Sequence, residues 1–225
     1  MRNRICLTLI GFCFLAVQAA PSFGDAPPGG QPSSEDAGPG IPDAEVYFLN
    51  RIKEAEQFGP HDTRLATSLN DLGNLYQTQG KYGQAEPIFK RSLNIYEQSY
   101  GYGHPTVAFG LNNLGNLYRL EKRYGEAESL LKRALDIDQK QLPPMAPELA
   151  TTITNLGLLY FDQGKYAQAE QRYKQALSIR EKVLAPTDPA LATILENYAA
   201  LLRKTNRASE AEPLEARAKA LRSEI

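Results

Sequence analysis

The residue types that most often carry chemistry are few in this chain, and their spacing does not assemble a reaction centre. Of the two histidines, His61 follows Pro60 and His104 precedes Pro105. A general acid or base needs a partner within hydrogen-bond reach, and a histidine beside a proline in a connection reads as a turn or cap residue. Asp136 and Asp138 are two apart, so on a helix they face different ways and cannot share a carboxylate site. The sequence contains no Ser-His-acid set, no glycine-rich phosphate loop and no His-Glu-x-x-His spacing. Cys6 and Cys13 are the only cysteines, which leaves no disulfide framework and no cysteine-based zinc site. The expectation is a protein with no catalytic residues, no cofactor and no metal.

What remains is the asparagine-rich and aromatic material, and the elements that must position it. The chain has 225 residues, and 42% of them are hydrophobic, enough to build a core and to exclude wholesale disorder. With 25 Lys+Arg against 26 Asp+Glu, the formal charge of −1 lacks the basic excess expected of a nucleic-acid binder. Residues 1–24 run from Arg2 and Arg4 through an apolar stretch, Ile5 to Val17, into small residues. That is the order of a secretory signal peptide, with cleavage expected after Ala19 or Gly24. The apolar run is short for a bilayer span, which takes about 20 residues; an uncleaved anchor is the alternative. The expected location is therefore outside the cytoplasm, periplasmic or secreted, without stable membrane insertion after cleavage. Residues 25–42 are rich in Pro, Gly, Ser and acid and read as a flexible linker.

From about residue 62 a 42-residue register takes over. Leu72-Gly73-Asn74-Leu75-Tyr76 returns as Leu114-Gly115-Asn116-Leu117-Tyr118, as Leu156-Gly157-Leu158-Leu159-Tyr160, and in faded form at Tyr198–Leu202. Tyr82-Gly83-Gln84-Ala85-Glu86 keeps the same register in the blocks beginning at Tyr124, Tyr166 and Ala208. Each unit reads as two helices. Leu65, Leu69, Leu72, Leu75 and Tyr76 form one stripe at spacings of three and four, and Ala85, Ile88, Phe89, Ser92 and Leu93 form the next. Gly80 supplies the stop between them, while Pro105, Pro147 and Pro189 suit the first position of a following helix. A mid-helix glycine costs about 1 kcal/mol. Its recurrence at 73, 115 and 157, with Ala199 in the fourth unit, predicts close approach of a partner helix. Phe89, Leu131 and Tyr173 are the large residues facing those positions. In the last unit Glu215 and Lys219 stand where the others carry apolar residues, as expected of an array ending in water. Pro87 and Pro213 fall within second helices and predict a local bend there. Residues 43–61 read as a lone capping helix and loop, with Phe48, Leu49, Ile52 and Ala55 on its buried side; a degenerate half-repeat would make nearly the same contacts.

The Leu-Gly-x-x-Tyr helix followed by an Ala-x-x-x-aromatic-x-x-Ala helix resembles the tetratricopeptide repeat. The longer period and Gly103-His104-Pro105 resemble its kinesin-light-chain subclass. The resemblance covers residues 62–225 and implies an all-α fold: a right-handed superhelical α-solenoid of four helix-turn-helix repeats behind an N-terminal capping helix. It also implies that the first helix of each hairpin lines a concave groove that holds a protein or an extended peptide. On that basis the candidate peptide-binding residues are Asn70, Asn74, Phe109, Asn112, Asn113, Asn116, Arg119, Asn155, Leu158, Phe161 and Arg203. Asn70, Asn74, Asn112 and Asn116 are expected on the open face as an amide floor able to donate to and accept from a peptide backbone. Asn113, Asn155 and Asn197 form a more buried column, which would either contact a ligand or bridge neighbouring helices. Phe109, Leu120, Leu158 and Phe161 make an apolar patch, and Arg203 with Lys204 a basic corner. A paired-cation carboxylate clamp is not expected, because Thr67, Asn70, Thr151 and Asn155 occupy its positions. The basic residues of the second helices, such as Lys90, Arg91, Lys132 and Arg133, read as a solvated outer face. The alternative function is structural, with the groove or the ends of the array mediating homo-oligomerisation.

Overall fold

The computed structural model describes residues 41–183, 188 and 190–223. The expected leader and all but the last two residues of the linker lie outside the described residues. Within them the chain is all-helical, with α1 Ile41–Glu56, α2 Thr63–Thr78, α3 Tyr82–Tyr100, α4 Pro105–Leu120, α5 Tyr124–Gln141, α6 Pro147–Asp162, α7 Tyr166–Val183, α8 Ala190–Lys204 and α9 Ala208–Ser223. The helices group into two compact units, one holding the described residues up to Ser99 and the other beginning at Tyr100.

The first unit is one hairpin and its cap. Asp62 opens α2 by accepting the Arg64 amide at 2.9 Å, the N-cap arrangement that satisfies an otherwise orphaned helix donor. The Ser92 hydroxyl, buried on α3, donates to the Ala66 carbonyl of α2 at 2.7 Å. A Cβ built at Gly73 would lie 2.6 Å from Cε1 of Phe89, so the glycine is what lets α2 and α3 close on each other. Helix α1 packs on α2 through buried Ile52 and Ala55. Tyr76 donates to Glu45 at 2.9 Å, and Lys81 stands 3.6 Å from the same carboxylate. The capping helix begins at Ile41, two residues before the expected start at residue 43, and ends at Glu56, and Leu49 of the expected buried stripe is exposed.

The second unit repeats the hairpin three times, as α4–α5, α6–α7 and α8–α9. His104 is the N-cap of α4: its Nδ1 accepts the Thr106 amide at 3.1 Å. Asp188 accepts the Ala190 amide at 2.8 Å in front of α8. A Cβ at Gly115 would lie 2.9 Å from Cγ of Leu131, and one at Gly157 would lie 2.6 Å from Cε1 of Tyr173. In the last hairpin the pairing lapses: Ala199 replaces glycine, and Glu215 is exposed. Successive hairpins are tied by ion pairs. The Glu170 carboxylate accepts from Arg207 at 2.7 Å, Lys174 at 2.8 Å and Tyr198 at 3.1 Å. The hydrogen bonds from Arg207 and Lys174 hold its pKa down at about 2. Pro87 and Pro213 sit inside continuous helices, so the helices do not begin after them; each forgoes the bond to residue 83 or 209, both exposed positions.

The helix-ending column at 80, 122, 164 and 206 is left-handed throughout, with φ of +70°, +62°, +75° and +61°. Glycine fits there, whereas a side chain costs roughly 1–2 kcal/mol. Lys122→Gly is accordingly expected to stabilise the protein by about 0.5–1 kcal/mol after the extra unfolded-state entropy of glycine is deducted, read as a higher urea midpoint at unchanged slope.

Within the second unit the first helices approach one another, α4 with α6 and α6 with α8. The second helices are linked too, Arg217 of α9 pairing with Glu181 of α7, and a cavity of about 380 Å³ opens among Leu142, Met145, Leu149 and Ile179.

Candidate functional site

The α4–α6–α8 face carries most of the candidate residues. Its centre is a buried polar chain rather than an open amide floor. Asn112, 7% exposed, donates from Nδ2 to the Thr152 hydroxyl at 2.6 Å. Its Oδ1 accepts from Asn155 Nδ2 at 3.2 Å. Thr152 in turn donates to Asp138 Oδ2 at 2.5 Å. Every donor in the series points toward one carboxylate. Asp138 is 2% exposed, and burial pushes its pKa up to about 6 against the Thr152 hydrogen bond, with Glu148 adding to the rise. Asp136, two residues away, is exposed and pairs with Lys140 at 2.7 Å, so the two acids do face apart.

This reverses part of the expected exposure. Asn112 is sealed beneath α6, and Asn70 in the first unit is 2% exposed. Neither belongs to an open face. Asn113 and Asn155, expected in the buried column, are half-buried instead, and Asn155 bridges α6 to α4 as the structural alternative anticipates. Asn74 is half-buried in the first unit. Asn197 is half-buried like them, with its Nδ2 atom buried and without an acceptor among the described residues.

Toward the C-terminal ends of α4 and α6 the face opens. Arg119 directs Nε and Nη2 to Asn116 Oδ1, both at 3.0 Å, and its Nη1 to Asp162 of α6. Its side chain is thus fixed across two helices. Because Asn116 gives its oxygen to the guanidinium, what it can offer a further partner is its two amide N–H donors. Leu158 and Phe161, half-buried, occupy the positions one repeat after Asn116 and Arg119, and the Phe161 ring rests 5.8 Å from that of Tyr166. Phe109, 36% exposed, sits at the other end of α4. The basic corner is largely neutralised: Arg203 makes a two-pronged contact with Glu215 at 2.9 and 2.7 Å, leaving Lys204 exposed beside it.

Sequence reasoning passed over Arg180 and the partners of Asp138. Arg180 and Asp138 itself lie in one register column near the ends of the second helices, Tyr96, Asp138, Arg180 and Arg222. Polar residues at a position that helical periodicity buries were the available signal. Among the described residues, no three His, Cys, Asp or Glu side chains cluster as a metal site, and no helix is long and apolar enough to cross a membrane.

Four consecutive helical hairpins, with small residues at the contacts and polar caps at the turns, define a helical-repeat array. The tetratricopeptide repeat profile matches residues 64–140 and 148–224, and the chain belongs to that family, whose members are generally protein-interaction scaffolds and typically not enzymes. No curated protein matches it by sequence. Among solved structures it is similar to BtubC (BKLC) from P. vanneervenii, at 23% identity and a TM-score of 0.66, over 81% of this chain and 73% of that one. It is also similar to the kinesin light chain TPR-like repeats of Podosopora anserina, at 18% identity and a TM-score of 0.61, over 82% and 88%. At these identities the likeness is one of fold, and it is to kinesin-light-chain-like repeats.

Proposed function

We propose that this is an exported, non-enzymatic scaffold that binds an extended segment of another protein along the α4–α6–α8 face. The observation that carries the reading is the Asn116–Arg119–Asp162 arrangement. It fixes one amide by its oxygen and leaves the N–H donors of that amide for a ligand, on the same face as the half-buried Phe161 and Leu158. Such a site suits a peptide carbonyl flanked by an apolar side chain. The support for export is the basic, apolar, small-residue order of residues 2–19, which N-terminal sequencing of the mature protein tests.

The binding test is a selection of random peptides displayed on phage, followed by titration of the selected peptides. Asn116→Ala combined with Phe161→Ala is expected to weaken them about tenfold or more, the usual cost of losing central contact residues, at unchanged helicity. Unchanged affinity, or no peptide selected at all, rejects the reading. Self-association is the second reading, and it draws on Val46, Tyr47 and Leu49, exposed together on α1. Sedimentation across a concentration series separates the two: a constant monomer favours the scaffold, and a growing oligomer favours association through the α1 end.

A further inference from the structure

Arg180 is the one basic side chain buried among the described residues, 8% exposed. It extends from α7 to the first turns of α6, where Nη2 donates to the Thr151 hydroxyl at 2.7 Å and to the Pro147 carbonyl at 3.4 Å. Its Nε is buried with no acceptor among the described residues. Taking a guanidinium out of water costs several kcal/mol unless an anion and a full set of acceptors receive it. Burial lowers its pKa, while Asp188 and Glu148 act the other way from a distance. Neither acid makes a contact with it, and Asp188 is engaged in capping α8.

The same protein shows what such a position looks like when it is satisfied. One repeat later, Arg222 occupies the equivalent place on α9 and reaches back to α8, with Nε 2.7 Å and Nη2 2.9 Å from the two Glu196 oxygens. Its Nη2 also lies 3.5 Å from Thr193, the counterpart of Thr151. The counterpart of Glu196 on α6 is Thr154, whose hydroxyl is turned back to the Ala150 carbonyl at 2.7 Å. Arg180 therefore has the threonine of the pattern and lacks its carboxylate. Thr151 lies on the same helix as Leu158 and Phe161, toward its other end, so an extended chain along α6 could reach both.

We propose that Arg180, with Thr151, receives a carboxylate of the bound segment, taking the part that Glu196 plays for Arg222. The inference rests on the scaffold reading and adds the chemistry of its ligand: an extended peptide carrying an acid at the Arg180 end. The acid is a side chain or a chain terminus, and the test separates these.

Protein labelled with ¹⁵N at arginine is titrated with acetyl-Leu-Phe-Leu-Asp-amide, with acetyl-Leu-Phe-Leu bearing a free terminus, and with the Asp→Asn amide, while the Nε–H signals of Arg180 and Arg222 are followed. The expected result is a saturable shift of Arg180 with at least one carboxylate peptide, about tenfold tighter than with the Asn analogue, as one charge-assisted hydrogen-bonded pair warrants. Arg222, already paired, stays still. A response to the Asp peptide alone assigns a side-chain acid; a response to the free terminus alone assigns a terminal one. In Arg180→Lys, which keeps the charge and loses the fork, the binding preference for the acid falls. A silent Arg180 signal, equal shifts with the Asn analogue, or the same shift with sodium chloride overturns the proposal. The wild-type titration needs no variant to fold. A silent Arg180 alongside peptides that depend on Asn116 and Phe161 rejects this inference alone; an Arg180 that takes the acid while those residues prove irrelevant rejects the α4–α6–α8 groove instead.

Discussion

Gly157→Ala destabilises the protein in the wild-type background and stabilises it once Tyr173 has been cut to alanine. Alanine is the better helix former by about 1 kcal/mol, so on an open helix the change is favourable. Here the added Cβ would stand 2.6 and 2.8 Å from Cε1 and Cδ1 of Tyr173, and that ring is almost wholly buried between helices. It is a rigid plate with nowhere to retreat, and overpacking of this kind costs about 1–3 kcal/mol. The net loss expected for the single variant, that cost less the propensity gain, is up to about 2 kcal/mol, and valine at the same place loses more. Tyr173→Ala alone is expected to cost about 3–5 kcal/mol, but it removes the obstacle. In that background Gly157→Ala should recover close to its propensity gain. Urea unfolding of the four proteins of this cycle measures the coupling directly. Additive effects would mean that the glycine is present for some reason other than the approach of α7.

Asp138→Asn is expected to raise stability at neutral pH by about 2–3 kcal/mol and to remove most of that gain in acid. The native state holds the Asp138 proton up to about pH 6, whereas the unfolded chain releases it near its ordinary value of 3.8. Stability from this group is thus fully present below pH 3.8 and is lost as pH rises through 6. At pH 7 the buried carboxylate stands unprotected except by Thr152, and the two-unit difference corresponds to about 3 kcal/mol. Asparagine keeps an oxygen for the Thr152 hydroxyl and carries no charge. Denaturation at pH 4 and pH 7.5 checks this: the variant's advantage should appear between those values. An advantage that is the same at both, or absent at both, contradicts the burial cost assigned to the carboxylate.

The repeat and its packing were legible because both are periodic. A 42-residue register fixes where Gly73, Gly115 and Gly157 meet Phe89, Leu131 and Tyr173, and a proline or an Asp-Pro pair marks the next start. His104 and Asp188 cap their helices as a residue before proline should. The open face was harder to read, because a helix in an array has more than one neighbour. The stripe of Leu111, Leu114 and Tyr118 is legible, but α4 also meets α6 through polar groups, Asn112 with Thr152 and Asn155 and Arg119 with Asp162, and such residues read as solvent-facing. Asn112 therefore looked free when Thr152 covers it. Arg119 looked available for a ligand; Asn116 lies one turn earlier on the same helix, but Asp162 comes from α6, across a helix offset that no single-helix pattern contains. Arg203 went the same way, since its acid, Glu215, lies across a hairpin. The start of α1 was misplaced because one isolated helix offers no second copy against which to align it.

The last hairpin gives up the interlock that holds its predecessors. With Ala199 and exposed Glu215 in place of a glycine and a ring, α9 buries only Ala211, Ala218 and Leu221 fully, and Arg203, Arg207 and Arg222 secure it by charge. Fastening of that sort slackens in brine and in acid, while the seam inside α6–α7 does not. High salt or low pH is thus expected to loosen α9 from α8 before it parts α6 from α7.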